Sequence, residues 1–93
     1  MKPILMFMMP TCPYCKQALA WQEELLREHP EYAKIPLRIV DETREEDFAN
    51  AHDYYYVPTY YVDGEKICEG QLTRQDVQRV FQLACSETAA AQV

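Results

Sequence analysis

The stretch Ile4-Leu5-Met6-Phe7-Met8-Met9-Pro10-Thr11-Cys12-Pro13-Tyr14-Cys15 decides how the rest of the chain is read. Its first six residues are apolar without a break, as a strand covered on both faces requires, and Pro10 stops them. Helical spacing opens at Pro13, a residue suited to the first helical position because the amide it lacks would be unpaired there anyway. Cys12 therefore falls at the N-cap, where a side chain faces the orphan amides of the first turn, here those of Tyr14 and Cys15. A thiolate on Cys12 would meet both donors and the positive end of the helix dipole, a stabilisation of up to ~2 kcal/mol in a partly buried place. Lys16, one turn along and expected to be exposed, adds only a minor charge effect. Cys15 is expected on the inward side of the helix, close enough to attack a mixed disulfide formed at Cys12 and release its other half as a thiol.

Outward from this stretch, Pro3 to Met8 is expected as a central strand and Pro13 to about His29 as a helix. Ala18, Leu19, Gln22, Leu25 and Leu26 lie on its inner stripe, charged residues lie opposite, and Pro30 ends it. Tyr32 to Lys34 connect to a second strand, Leu37 to Val40, which reads as a covered parallel strand joined by a right-handed crossover. The charge cluster Asp41 to Asp47 leads into a short helix from about Glu45 to His52 and is read as a solvated helix start, without chemistry. A hairpin follows: Thr59 to Val62, a turn at Asp63-Gly64, then Glu65 to Glu69, with Gly70 marking a bulge or bend. Thr73 reads as an N-cap with Asp76 three residues on, and Val77, Val80, Phe81, Leu83 and Ala84 give the last helix its apolar side. The small, polar tail from Ser86 is expected to fray.

The resulting order, β-α-β-α-β-β-α, describes an α/β fold in one domain over residues 1–93. A parallel pair and an antiparallel hairpin make a four-stranded mixed sheet flanked by three helices. Ligands of such sheets gather at the carboxyl ends of strands, where Cys12 lies. At 93 residues and 48% hydrophobic, the chain can bury a core without a metal or disulfide staple. A net charge of −6 argues against nucleic acid and anionic membranes as partners, both being polyanions. The opening apolar run is too short for a signal peptide, and no run approaches the ~18 residues of a membrane span. Four cysteines in a chain read as cytoplasmic point to redox or metal chemistry rather than a disulfide framework.

Cys12-Pro13-Tyr14-Cys15 after the first strand and Val57-Pro58-Thr59 before the third resemble the thioredoxin superfamily, and most closely its glutaredoxins. The resemblance spans nearly the whole chain. It implies a thioredoxin fold, a cis peptide bond at Pro58 beside the dithiol, and thiol-disulfide oxidoreductase chemistry with Cys12 as nucleophile and Cys15 as resolving thiol. It sets Thr11, Pro13, Tyr14, Lys16, Val57, Pro58, Thr59 and Gly70 around the substrate, a disulfide-containing protein or a glutathione mixed disulfide. The expectation that goes with it is a monomer with no tightly bound cofactor, regenerated by a reductase system either directly or through glutathione as a co-substrate. Glutaredoxins usually carry Gly-Gly and then an acidic or hydroxyl residue at the end of the fourth strand, and a lysine shortly before the first active-site cysteine. Here Ile67 is followed by Cys68-Glu69-Gly70, and Met6 to Thr11 holds no lysine. The Gly-Pro dipeptide and preceding tryptophan of thioredoxins are missing too, as is an acid in the first strand. Both electron donors, glutathione and a thioredoxin-type reductase, therefore stay open.

Against this stands a redox-inactive or cluster-carrying binding module. A Cys-x-x-Cys pair can hold zinc, but Cys68 and Cys85 are single and neither His29 nor His52 belongs to a ligand pair, so no metal site is assigned. Cys68, Cys85 and Trp21 read as packing residues, and the histidines as ordinary helix-end residues. Of the tyrosines at 54, 55, 56, 60 and 61, strand alternation buries about half, leaving Tyr14 and those nearest Val57 as contact candidates. Thr73 and Asp76 could reach the γ-glutamyl end of glutathione, although plain capping accounts for both.

Overall fold

The computed structural model describes residues 1–85; the fraying expected from Ser86 onward lies outside them. Strand β1 (Ile4–Met8) leads into helix α1 (Pro13–Glu28). A 3-10 helix over Pro30–Lys34 then turns the chain into β2 (Leu37–Asp41), and the short α2 (Glu46–Asn50) follows. The hairpin β3 (Thr59–Val62) and β4 (Glu65–Glu69) comes next, and α3 (Arg74–Cys85) closes the order. The sheet is four-stranded and mixed, with the parallel pair β1 and β2, the antiparallel hairpin β3 and β4 and the central first strand that the sequence predicts; its order, β2-β1-β3-β4, comes from β1 pairing antiparallel with β3.

Alternation along the inner strands divides the apolar residues between two layers. Ile4, Met6, Tyr60 and Val62 meet Ala18 and Leu25 of α1 and Val77, Val80, Phe81 and Ala84 of α3 in the main core. Phe7 and Tyr61 point to the other face, where they pack with Val40 and with Ala49 of α2. A fully buried side chain such as Leu25 or Phe81 contributes about 1.5–3 kcal/mol relative to exposure, so α1 and α3 are held chiefly by this face.

Three local readings are corrected and one is decided. Pro30 does more than end α1: it opens a 3-10 turn that buries Tyr32 and stacks it on Phe81 at 5.3 Å, a Pro at a first helical position being as effective a start as a stop. β2 is an edge strand rather than a covered one, with Arg38 and Ile39 exposed and only Val40 fully buried, because β1 is its sole neighbour. Of the two readings of Gly70, a bulge or a bend, the structure has the bend, at φ +85°, and the hairpin's bulge lies between Tyr60 and Tyr61, where the partner shifts from Cys68 to Lys66. Finally, Tyr60 and Tyr61 are both buried, since this inner strand has a packed layer on each side. Thr73 and Asp76 form the reciprocal cap expected of them: the Asp76 amide donates to Thr73 Oγ1 at 3.1 Å and the Thr73 amide to Asp76 Oδ2 at 2.9 Å.

Candidate active site

The turn from β1 to α1 puts Cys12 at the helix N-cap with extended backbone angles (φ −82°, ψ 121°) and Pro13 in the first helical position. Thr11, Pro13 and Lys16 are exposed and Tyr14 is 49% exposed, while Cys12 itself is half-buried. Its sulfur does not cap the helix as the sequence reading expects. No side-chain bond reaches the first-turn amides, and the thiol instead donates to the carbonyl oxygen of Val57 across a 3.9 Å gap. The physical reason is the kind of partner within reach: the first turn of α1 offers amide donors, whereas the segment before β3 brings a carbonyl acceptor, the group a thiol S–H needs, against the sulfur.

Cys15 shares a helical face with Ala18, Gln22 and Leu25 and is fully buried. The Met9 amide donates to its sulfur at 3.4 Å. Burial pushes the Cys15 thiol from its ordinary 9.0 up to about 12, against the pull of that amide; the bond and charge of Cys12, and then the charge of Glu42, push the same way. Both cysteines are free thiols. The helix therefore separates two sulfurs of one turn into an accessible one and a buried, protonated one.

Opposite lies the segment before β3. The Val57-Pro58 peptide bond is cis, and Pro58 and Thr59 are buried. Thr59, the first residue of β3, donates its hydroxyl to the Tyr56 carbonyl, and the Gly70 amide donates to the Pro58 carbonyl at 2.9 Å. Glu69 completes this arrangement and was not singled out by its sequence context. Its Oε2 accepts from the amides of Tyr55 (2.7 Å) and Tyr56 (3.0 Å), and its Oε1 accepts from Lys66 Nζ (2.7 Å). The Lys66 bond and the two amides hold the Glu69 carboxyl down at about 2. Tyr55 and Tyr56 remain 81% and 68% exposed beside the site.

Two further groups under the dithiol escape a reading based on motifs. Gln22, on the inner stripe, donates from its amide nitrogen to the Tyr60 hydroxyl oxygen and, at 3.1 Å, to Met6 Sδ, which satisfies a polar side chain inside the main core. Tyr54 donates to Glu42 Oε1 at 2.6 Å and stacks on Phe7 at 4.8 Å; burial, followed by that bond, raises its phenol. Glu42 follows β2, so an acid near Cys15 comes from the neighbouring strand and not from the first. On the outer side, Pro13, Tyr14, Gln17, Trp21, Gln71 and Leu72 line a groove of ≈ 340 Å³ between α1 and the loop before α3. Among the described residues, no group of three or more His, Cys, Asp or Glu side chains is arranged to hold a metal ion, and no helix is long and apolar enough to cross a membrane.

A three-helix, four-stranded mixed sheet with a Cys-x-x-Cys at the mouth of its first long helix and a cis proline opposite defines the class of thioredoxin-like redox domains. The family profile described as thioredoxin domain matches residues 3–82, and the chain belongs to that family. Solved structures agree on the fold. Oxidised thioredoxin from Plasmodium falciparum superposes with a TM-score of 0.68 at 19% identity, over 88% of this chain and 79% of that one. A protein described only as malarial gives 0.67 at 16% identity, over 89% and 96%. The first two thioredoxin domains of Saccharomyces cerevisiae Eps1p give 0.54 at 23% identity, over 89% of this chain and 34% of that one. No curated protein matches the chain significantly.

Proposed function

We propose that this protein is a thiol-disulfide oxidoreductase of glutaredoxin type, reducing protein disulfides or glutathione mixed disulfides with the Cys12/Cys15 pair. The observation that carries this reading is the division of labour within one helical turn: Cys12 half-exposed and facing Val57, Cys15 buried and held as a thiol. Cys12, as thiolate, attacks one sulfur of the substrate disulfide; a Cys12-substrate bond forms, and the other substrate sulfur leaves and takes a proton. Capture of Cys12 removes both influences by which it keeps Cys15 protonated, its hydrogen bond and its negative charge. Cys15 then loses its proton and attacks Cys12 Sγ, expelling the second substrate thiol and leaving a Cys12–Cys15 disulfide. Two electrons pass to the substrate, and two thiols of glutathione or a reductase dithiol restore the pair. Thr11, Pro13, Tyr14 and Lys16 on one side, and Val57, Pro58, Thr59 and Gly70 on the other, frame the substrate. No tightly bound cofactor, metal, nucleic acid or membrane takes part, and the protein works as a monomer in a reducing compartment, the cytoplasm.

A second reading, direct reduction by a thioredoxin-type reductase without glutathione, draws support from the end of β4. The side chain of Glu69 there lies against the Tyr55 and Tyr56 amides, and Gly70 stands alone where glutaredoxins have a glycine pair. Reduction of a polypeptide disulfide, supplied in parallel with glutathione plus glutathione reductase and with thioredoxin reductase, identifies the donor. Cys12→Ser is expected to abolish turnover and Cys15→Ser to accumulate a mixed disulfide visible by mass. Equal activity in wild type and both variants overturns the proposal.

A further inference from the structure

We infer that Glu69 is a positioning residue that fixes the edge against which polypeptide substrates dock. This deepens the oxidoreductase reading and rests on it. Tyr55 and Tyr56 are held more by their backbone than by their rings: both are largely exposed, so little buried area secures them, and Lys66 Nζ stands over the Tyr55 ring only at 5.9 Å from its centroid. Their amides find their acceptor in one carboxylate oxygen of Glu69, and Lys66 occupies the other. Such charge-assisted bonds are among the stronger and more directional a protein makes. Immediately downstream, the Tyr56 carbonyl is taken by Thr59, the Val57 carbonyl by the Cys12 thiol and the Pro58 carbonyl by Gly70. Gly70 also lies beside Tyr56, where an added Cβ would make an ordinary contact with the tyrosine Cβ at 3.5 Å. Glu69 thus clamps the upstream half of a five-residue segment whose downstream half touches the nucleophile.

The geometry has a consequence for selectivity. A small disulfide needs only the Cys12 sulfur, but an extended polypeptide must also lie along the Tyr55-Tyr56-Val57 edge, whose Val57 carbonyl is the one the Cys12 thiol meets. Loss of the clamp frees that edge to reorient and charges its ordering to each binding event.

The test compares two disulfides, insulin and 5,5′-dithiobis(2-nitrobenzoate), in wild type, Glu69→Ala, Glu69→Gln and Lys66→Gln. Glu69→Ala is expected to raise KM for insulin roughly tenfold or more with kcat little changed, the scale set by two lost charge-assisted bonds, while the small disulfide stays within about twofold. Glu69→Gln, which keeps one carbonyl acceptor for the two amides, restores much of the insulin KM, and Lys66→Gln, which keeps both amide bonds but removes one anchor of the carboxylate, raises it less than Glu69→Ala does. A proportional loss on both disulfides, or no loss on either, overturns the positioning role. Should Glu69→Ala not fold, Glu69→Leu, which also removes the acceptor of both amides and keeps a strand-compatible side chain, is read in its place, and there too a proportional loss on both disulfides, or no loss on either, overturns the positioning role. Failure of the parent reading is distinguishable, since wild type would then reduce neither disulfide.

Discussion

Protection of Cys15 can be measured directly by alkylation. Raising a thiol from 9.0 to about 12 lowers its thiolate fraction at pH 8 roughly a thousandfold, each pKa unit being tenfold. Zero exposure of the side chain adds a steric barrier on top of that ionisation effect. In the reduced protein treated with iodoacetamide at pH 8, carboxamidomethyl label should therefore enter Cys12 first, and Cys15 should remain unlabelled until the protein unfolds. The sign is fixed by burial disfavouring the charged form: Cys15 labelling should climb about tenfold per pH unit above neutrality and should not level off near 9. Cys12→Ser removes the bond and charge of the neighbouring sulfur but keeps burial, the largest cause, so Cys15 should become only moderately more reactive. Peptide mapping of a labelling time course, repeated in denaturant as the exposed reference, reads all of this. Folded-state labelling of Cys15 within about tenfold of the denatured rate would refute the reasoning.

Three further outcomes follow from contacts elsewhere. Tyr60→Phe strips the Gln22 amide of its oxygen partner inside the core and should cost about 1–3 kcal/mol in urea unfolding, whereas Tyr60→Phe with Gln22→Met should recover most of it; additive losses would show that the two groups do not interact. Gly70→Ala, at φ +85°, should destabilise by about 1–2 kcal/mol, seen as a drop in Tm of several degrees. Glu42→Gln withdraws a negative charge that helps keep Cys15 protonated, so labelling of Cys15 at fixed pH should rise a few-fold; an unchanged or slower rate contradicts that role.

Much of the fold was legible because its signals are local. An unbroken apolar run, a proline at the start of α1, an Asp-Gly turn and a Thr-x-x-Asp cap each specify their own element, and their order suffices for the fold class, whereas the pairing of β1 with β3 that orders the sheet is a long-range contact. The two thiols were legible too, from motif and helix phase. Their partners were not, because these depend on which side chain meets which across the fold. Whether Cys12 turns to its own helix or to Val57 is decided by a residue 45 positions away. Glu69 reads in sequence as one more acid on a surface strand, and only the return of the loop onto β4 supplies the amides it accepts from. The exposure of β2 was hidden for a similar reason: Leu37-Arg38-Ile39-Val40 has the same apolar character whether one neighbour flanks it or two.

Because β3 runs on directly from the Val57-Pro58 segment that faces the nucleophile, while β1 leads to the nucleophile itself, the alignment of these two strands sets the reactive centre. With Phe7 opposite Thr59, Tyr60 turns toward Gln22 and Tyr61 toward Phe7; a slip of one residue would exchange the two tyrosines between layers and carry Val57 off its mark. Reactivity at Cys12 is in this sense an honest witness to long-range assembly: a truncated or mispaired chain keeps both thiols and loses the surface they work against.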